Sequence, residues 1–315
     1  MALPTLLAVP NVSEGRDEAA IAAIGAVVAG TSTESNGVML LDIHSDADHH
    51  RSVFTIAGTA GALADALLRM AHQATSRIDV MAAAVGSTRD GDSKQPGQHP
   101  HVGALDVLPI VYLSPEARGA ACAEALVVAD RIASELEVPV FLYGELTAGA
   151  DGAARTRAQL RRGGVAGLAA RMAAPGERIV PDFGPTRMHP SAGATLVAAR
   201  PPLVAFNLQL AAGASMQQAR DIAALVREHD GGGLPGVRAI GVELNGGVAQ
   251  VSMNVERPFE VSLAMVVDAV RAHAEVASAE LVGLAPSAAM DGFPTDVPIP
   301  GFDPARHLIE NALGC

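Results

Sequence analysis

The sequence predicts an α+β protein, with α/β layers in which helices pack on one sheet face and two subdomains follow one another along the chain. Apolar, β-branched runs alternate with longer stretches whose apolar residues recur at helical spacing. Single helices fall between pairs of strands, the pattern of α+β layers. A Pro/Gly-rich passage at 175–185 interrupts the alternation, and 315 residues leave room for two units of roughly 150 residues each. The expected boundary gives subdomains 1–178 and 179–315.

The elements follow in order. Residues 6–9 read as a short strand, and 17–28 as a helix stopped by Gly30. Runs 38–43 and 53–57 read as two strands joined by a histidine-rich turn, with Thr59 placed to cap a helix through about 78. Periodicity fails between 80 and 100, where 86–93 is Gly-Ser-Thr-Arg-Asp-Gly-Asp-Ser, so a long loop is expected. A strand at 107–113 leads to Ser114-Pro115-Glu116, a cap, first-turn proline and first-turn acid for a helix to about 136. A buried strand at 138–143 precedes a helical region, 153–173, carrying Arg155, Arg157, Arg161 and Arg162. In the second half, strands are expected at 195–199, 203–210, 237–243, 248–255 and 280–284, with helices at 215–228 and 259–276. An extended tail, 286–304, ends in a short helix to about 313. No residue-level repeat relates the halves, so any likeness between them is architectural.

Composition narrows the function. With 22 Lys+Arg against 34 Asp+Glu, the net charge is −12, and the chain holds two Tyr, seven Phe and no Trp. Such a chain lacks the basic, aromatic-interleaved surface that holds nucleic acid. Cys122 and Cys315 make no metal spacing and no disulfide framework, which fits a reducing cytoplasm. Charged residues, glycine or proline interrupt the apolar runs, so neither export nor membrane insertion is expected. There is no G-x-x-x-x-G-K-[ST] and no G-x-S-x-G.

The histidines are the first clue to chemistry. Of ten, His44, His49, His50, His99 and His101 fall in two short segments at strand ends, where side chains face a cleft and a pKa near neutrality suits proton transfer. Metal ligation is the alternative, since Asp46 and Asp48 add oxygen donors, but no zinc spacing occurs.

The ordered motifs then resemble a known family. They are V-P-N-V-S-E-G-R at 9–16, L-L-D at 40–42 with Arg51-Ser52-Val53 behind it, and H-P-H-V-G-A-L-D-V-L-P at 99–109. V-P-V-F-L-Y-G-E at 138–145, P-D-F-G-P at 181–185, H-P-S-A-G-A at 189–194 and L-V-A-F-N at 203–207 continue the series. A-Q-V-S-M-N at 249–254 and E-L-V-G-L-A-P at 280–286 complete it. Together they resemble the formiminotransferase domain of the folate-dependent glutamate formiminotransferases, without a cyclodeaminase domain.

That resemblance implies two α/β subdomains with a folate groove between them, tetrahydrofolate as co-substrate, no metal, and a homodimer. It implies transfer of the formimino group from N-formimino-glutamate to N5 of tetrahydrofolate, with His99 as acid–base catalyst. Asn11, His44, Arg51, His101, Gly103, Asp106, Asp182, Gly184, Asn207 and Gln250 are the expected substrate- and folate-binding positions, with Arg200 and Arg238 as further candidates for carboxylates. Three departures fall at the catalytic loop. His101 stands where the family pattern has arginine, His44 stands where an acid is expected, with Asp46 or Asp48 as substitutes, and 81–98 is longer. They keep open a paralogue that binds folate or uses another one-carbon donor.

Overall fold

The computed structural model describes residues 3–29, 37–84, 100–149, 154–176 and 178–314. Its contacts divide into two units that meet at Pro201/Pro202.

The first unit runs β1 (Thr5–Ala8), β2 (Asn11–Val12), α1 (Glu18–Ala29), β3 (Val38–Asp46), β4 (Arg51–Thr59), α2 (Leu63–Arg77), α3 (Val80–Ala84), β5 (Leu105–Tyr112) and α4 (Arg118–Leu136). It continues with β6 (Val140–Leu142), α5 (Arg157–Arg161), α6 (Gly164–Ala173) and β7 (Thr195–Arg200). β1 and β2 share one position in the sheet, each antiparallel to β4 and to β5. The break falls at Val9–Pro10, where proline has no N–H for the ladder. Bonds from Val9 N–H to Pro109 O (3.1 Å) and from Phe54 N–H to Pro10 O (3.0 Å) carry the pairing across it. β3 lies outside β4, and β7 and β6 extend the other side in parallel with β5.

Burial explains that arrangement. Leu6, Phe54, Ile56, Leu108 and Ile110 meet Ile24 of α1, Leu67 and Met70 of α2, and Val128 and Ile132 of α4 in one core. On the opposite sheet face, Val107, Phe141 and Leu196 meet Leu160, Leu168 and Met172 in a second. All eight residues of β5 are therefore buried, as in a strand covered on both faces.

The second unit contains β8 (Val204–Leu210), α7 (Met216–Val226), β9 (Val237–Leu244), β10 (Val248–Val255), α8 (Leu263–Arg271) and β11 (Val276–Val282), then α9 (Pro304–His307) and α10 (Ile309–Leu313). Its antiparallel sheet has the order β11-β8-β10-β9. Ser215 and Ser262 cap α7 and α8 by accepting the N–H of Gln218 (3.1 Å) and Met265 (3.4 Å). Both units thus contain the same β-α-β-β-α-β core, with the fourth strand beside the first and the third between the first and the second. In the first unit that order is β5-β1-β4-β3.

Several expectations need correction. The boundary is not at 178/179, because β7 pairs in parallel with both β5 and β6 and so completes the first sheet. Thr59 does not cap α2. It ends β4, and the Glu124 carboxylate of α4 accepts the N–H groups of Gly61 (2.6 Å) and Ala64 (2.7 Å) instead. The helix expected over 259–276 stops at Arg271, and Val276 already begins β11. The last helix divides at Leu308, where the chain bridges to Ala285. Part of the expected loop, 80–84, is helical, and 85–99 lies outside the described residues. Among the described residues, no helix is long and apolar enough to cross a membrane.

Candidate active site

Three segments of the first unit enclose a small polar pocket: the residues after β2, the turn between β3 and β4, and the chain entering β5. Val12, Ser13, His49, His50, Arg51, Pro100, His101 and Asp106 line it. The N-V-S-E-G motif builds one wall. Ser13 donates its backbone N–H to Ala104 O (2.9 Å) and its hydroxyl to Gly103 O (2.7 Å), which ties the motif to the His-Pro-His segment. Gly15 packs against the β3–β4 turn so closely that a Cβ there would lie 2.1 Å from Asp46 O. Glu14 accepts the N–H of Arg16 (2.8 Å) and of Asp17 (3.0 Å), fixing the approach to α1.

The His101 segment is held from below. Asp106, 3 % exposed, accepts the Val102 N–H at 2.7 Å with one oxygen and the Arg161 guanidinium with the other. Its neighbour Gly103 approaches β7 too closely for any side chain, since a Cβ would meet Ala194 O at 1.9 Å.

Charge in the pocket is unevenly balanced. Burial, then repulsion from Arg161 and Arg157, lowers the Arg51 pKa to about 10, while Asp46 and Asp106 offset only part of this. An anion entering beside Arg51 would relieve that repulsion. Arg161 is buried, and its Nε has no hydrogen-bond partner among the described residues. For Asp46, burial works against ionisation, but the His49 ring and the N–H groups of His49 and Asp48 outweigh it and bring the carboxyl down to about 2.

The arrangement has clear relatives. The formiminotransferase domain, N-terminal subdomain, matches residues 5–200, and the glutamate formimidoyltransferase of Streptococcus pyogenes serotype M1 is 34 % identical over 313 residues, 97 % of either chain. The chain belongs to the formiminotransferase family. The glutamate formimidoyltransferase of Thermoplasma acidophilum is 30 % identical over 307 residues, 95 % of this chain and 94 % of that one. The formimidoyltransferase-cyclodeaminase of Gallus gallus is 34 % identical over 293 residues, and this chain spans 50 % of its length.

Of the positions expected to serve a formiminotransferase site, the structure brings Arg51, His101 and Asp106 together in the pocket, with Gly103 behind the His101 segment. His99, with Arg89 and Lys94, lies outside the described residues, directly before Pro100 of the pocket wall. His44 sits on β3 opposite Val53, two residues before Asp46. The Asn11 amide is spent on its own turn, donating to Val9 O at 3.0 Å. Asp182 is also committed to the fold, accepting the Leu142 N–H (2.7 Å) and Arg155 (2.9 Å). Gly184, with φ of 83°, turns the chain against Ala133 beside it.

In the second unit, Val204, Phe206, Leu208, Ala249, Val251 and Met253 enter the core, so strand alternation puts Asn207, Gln209 and Gln250 on the opposite sheet face. Asn207 donates to Glu280 at 2.8 Å. Gln250 is fully buried, and neither amide atom has a hydrogen-bond partner among the described residues. A buried amide left in that state is costly, and a ligand with matching donor and acceptor would satisfy it. Arg238 is instead held by Glu228 (3.2 Å) and Glu256 (3.3 Å), and Arg200 donates to Pro201 O.

Sequence reasoning treated His49 and His50 only as members of a cluster and gave Arg161 no site role. The D-x-x-H spacing from Asp46 to His49 was the available signal for the first. Arg161 had none, because its partner Asp106 is 55 positions away. Among the described residues, no three His, Cys, Asp or Glu side chains are grouped to hold a metal ion.

Proposed function

We propose that this protein is a glutamate formiminotransferase, moving the formimino group of N-formimino-L-glutamate to N5 of tetrahydrofolate. The end-to-end likeness to two glutamate formimidoyltransferases carries this reading. The pocket supports it with imidazoles for proton transfer and an under-neutralised guanidinium for a carboxylate. N5 attacks the amidine-type carbon and loses a proton as the new bond forms, and the glutamate nitrogen leaves protonated. Neither step needs a covalent enzyme intermediate. His99 is the proposed acid–base catalyst, Arg51 holds a substrate carboxylate, and Asp106 with Arg161 positions the loop. Gln250 and Asn207 are the proposed folate contacts of the second unit. The proposed setting is a cytoplasmic homodimer, in keeping with cysteine usage and the family resemblance.

The deciding experiment follows 5-formiminotetrahydrofolate by absorbance, with formimino-glutamate and tetrahydrofolate as substrates. The parent protein forms product. His99→Ala lowers turnover roughly a hundredfold or more while tetrahydrofolate affinity stays within a few fold. No product from the parent protein rejects the reading.

A further inference from the structure

The chain enters β4 through His50, which takes a left-handed conformation with φ of 48°, and so three consecutive residues, His49 to Arg51, face one pocket. Arg51 is the arginine of that lining. Its guanidinium makes no hydrogen bond and no ion pair among the described residues, although the residue is half-buried. The carboxylates around this wall are engaged elsewhere. Asp106 gives one oxygen to the Val102 N–H and the other to Arg161. Asp46 gives Oδ2 to the His49 ring at 2.6 Å and Oδ1 to the N–H groups of Asp48 and His49. Glu14, beside the His50 ring, accepts the N–H groups of Arg16 and Asp17. Arg161 and Arg157 add to the uncompensated positive charge.

His101 lines the same pocket, is half-buried, and has no hydrogen-bond partner among the described residues. Its backbone is held in place, because the next residue donates its N–H to Asp106 at 2.7 Å. A neutral imidazole offers one N–H, and a guanidinium offers several in a planar fork. The Ser13 hydroxyl does not compete for them, since it donates to Gly103 O. Two donor side chains, one of them charged, therefore share a pocket whose carboxylates are already engaged. A carboxylate is the anion that matches such a fork, and placing one there offsets the cost of burying an unpaired charge. The pocket is narrow, with room for little more than a water-sized group, so it takes the end of a ligand and not the whole of one.

We propose that Arg51 and His101 hold the α-carboxylate of the amino-acid donor, so that this pocket recognises N-formimino α-amino acids as a class and the glutamate side chain is read outside it. The inference rests on the transferase reading above. Both substrates of that reaction carry carboxylates, and their distances from the reacting atoms separate them. The donor's α-carboxylate is attached to the carbon that bears the reacting nitrogen. Its γ-carboxylate lies two methylenes further out, and the glutamate of a folate lies beyond an aminobenzoyl ring from N5. Proton transfer on that reading takes place at the imidazoles of this same pocket. The carboxylate that shares so narrow a space with them is the one nearest the reacting nitrogen.

The test is calorimetry on the full chain with N-formyl amino acids, which report binding alone when no folate is present. In the parent, N-formyl-L-glutamate, N-formyl-glycine and N-formyl-L-glutamine bind, whereas N-formyl-L-isoglutamine, the α-amide, binds roughly 10- to 100-fold more weakly. This arm needs no variant. Arg51→Gln, with its unfolding midpoint checked, weakens the three free α-acids by a similar factor, Arg51→Lys restores part of the loss, and His101→Ala costs roughly two- to tenfold. In the transfer assay Arg51→Gln raises KM for formimino-glutamate and leaves KM for tetrahydrofolate within a few fold. An α-amide that binds as tightly as the acid overturns the proposal, and so does a loss that spares N-formyl-glycine, which would place the γ-carboxylate at Arg51. A rise confined to the KM for tetrahydrofolate would place the folate glutamate there and overturns it too. A parent that makes no product rejects the transferase reading. The titrations still decide the site in that case, and N-formyl amino acids that fail to bind, or that bind the parent and Arg51→Gln alike, overturn it.

Discussion

Asp106 and Arg161, 55 residues apart, form a buried ion pair, and the same carboxylate holds the Val102 N–H behind His101. Removing one member strands the other charge in the interior. Asp106→Ala is expected to cost about 3–5 kcal/mol by urea unfolding. Paired replacement, Asp106→Leu with Arg161→Met, is expected to cost less than Asp106→Ala alone, yet to lower turnover because Val102 is no longer tethered. A double variant with parental kcat would show that the loop needs no such support.

Gly103→Ala tests the close approach to β7. The added methyl would lie 1.9 Å from Ala194 O, a backbone atom that cannot rotate away. Backbone displacement of this kind costs about 1–3 kcal/mol, and it moves the residues that precede Gly103 in the His-Pro-His segment. The expected result is a lower thermal midpoint together with a kcat that falls more than tetrahydrofolate affinity does.

Glu124 is a cap supplied from a distance. Its carboxylate satisfies the first turn of α2 at Gly61 and Ala64, and its side chain is buried. Glu124→Ala leaves those N–H groups without acceptors and is expected to cost about 1–3 kcal/mol, with kcat unchanged because α2 lies outside the pocket lining. Glu124→Gln keeps one acceptor oxygen and should lose less. Denaturant midpoints of the two variants give the comparison.

Asp46 predicts the acid limb of stability. Its folded pKa of about 2 lies below the ordinary 3.8, so its contribution is fully present above about pH 4 and is lost as pH falls through about 2. That shift corresponds to about 2 kcal/mol. Asp46→Asn is therefore expected to be less stable than the parent at pH 7, with the gap narrowing towards pH 2. A constant gap across that window would mean that the charge on Asp46 does not stabilise the fold.

Local pattern was enough for most elements. Residues 17–28 carry apolar side chains at helical spacing, and the structure forms α1 there. The runs at 38–43 and 53–57 became β3 and β4, extended by pairing with each other. The ordered motifs were enough for the family, because their residue types are legible without any contact being known. Partners were not legible. The run at 195–199 was correctly read as a strand, but a strand does not encode which sheet it joins. β7 was settled by hydrogen bonds to β5 and β6, which lie far back along the chain. Thr59 has the right chemistry for a cap, yet Glu124 occupies that role from α4. In the pocket, Arg51, His101 and Asp106 were visible one motif at a time, whereas the Arg161 partner of Asp106 and the left-handed turn that brings His49 beside Arg51 were not. The sequence by itself therefore determined the alternation of helices and strands, the family and the residue types available for acid–base work. Only the tertiary structure decided which charges neutralise one another and which histidine has a carboxylate behind it, because those depend on distances between segments that no local spacing specifies.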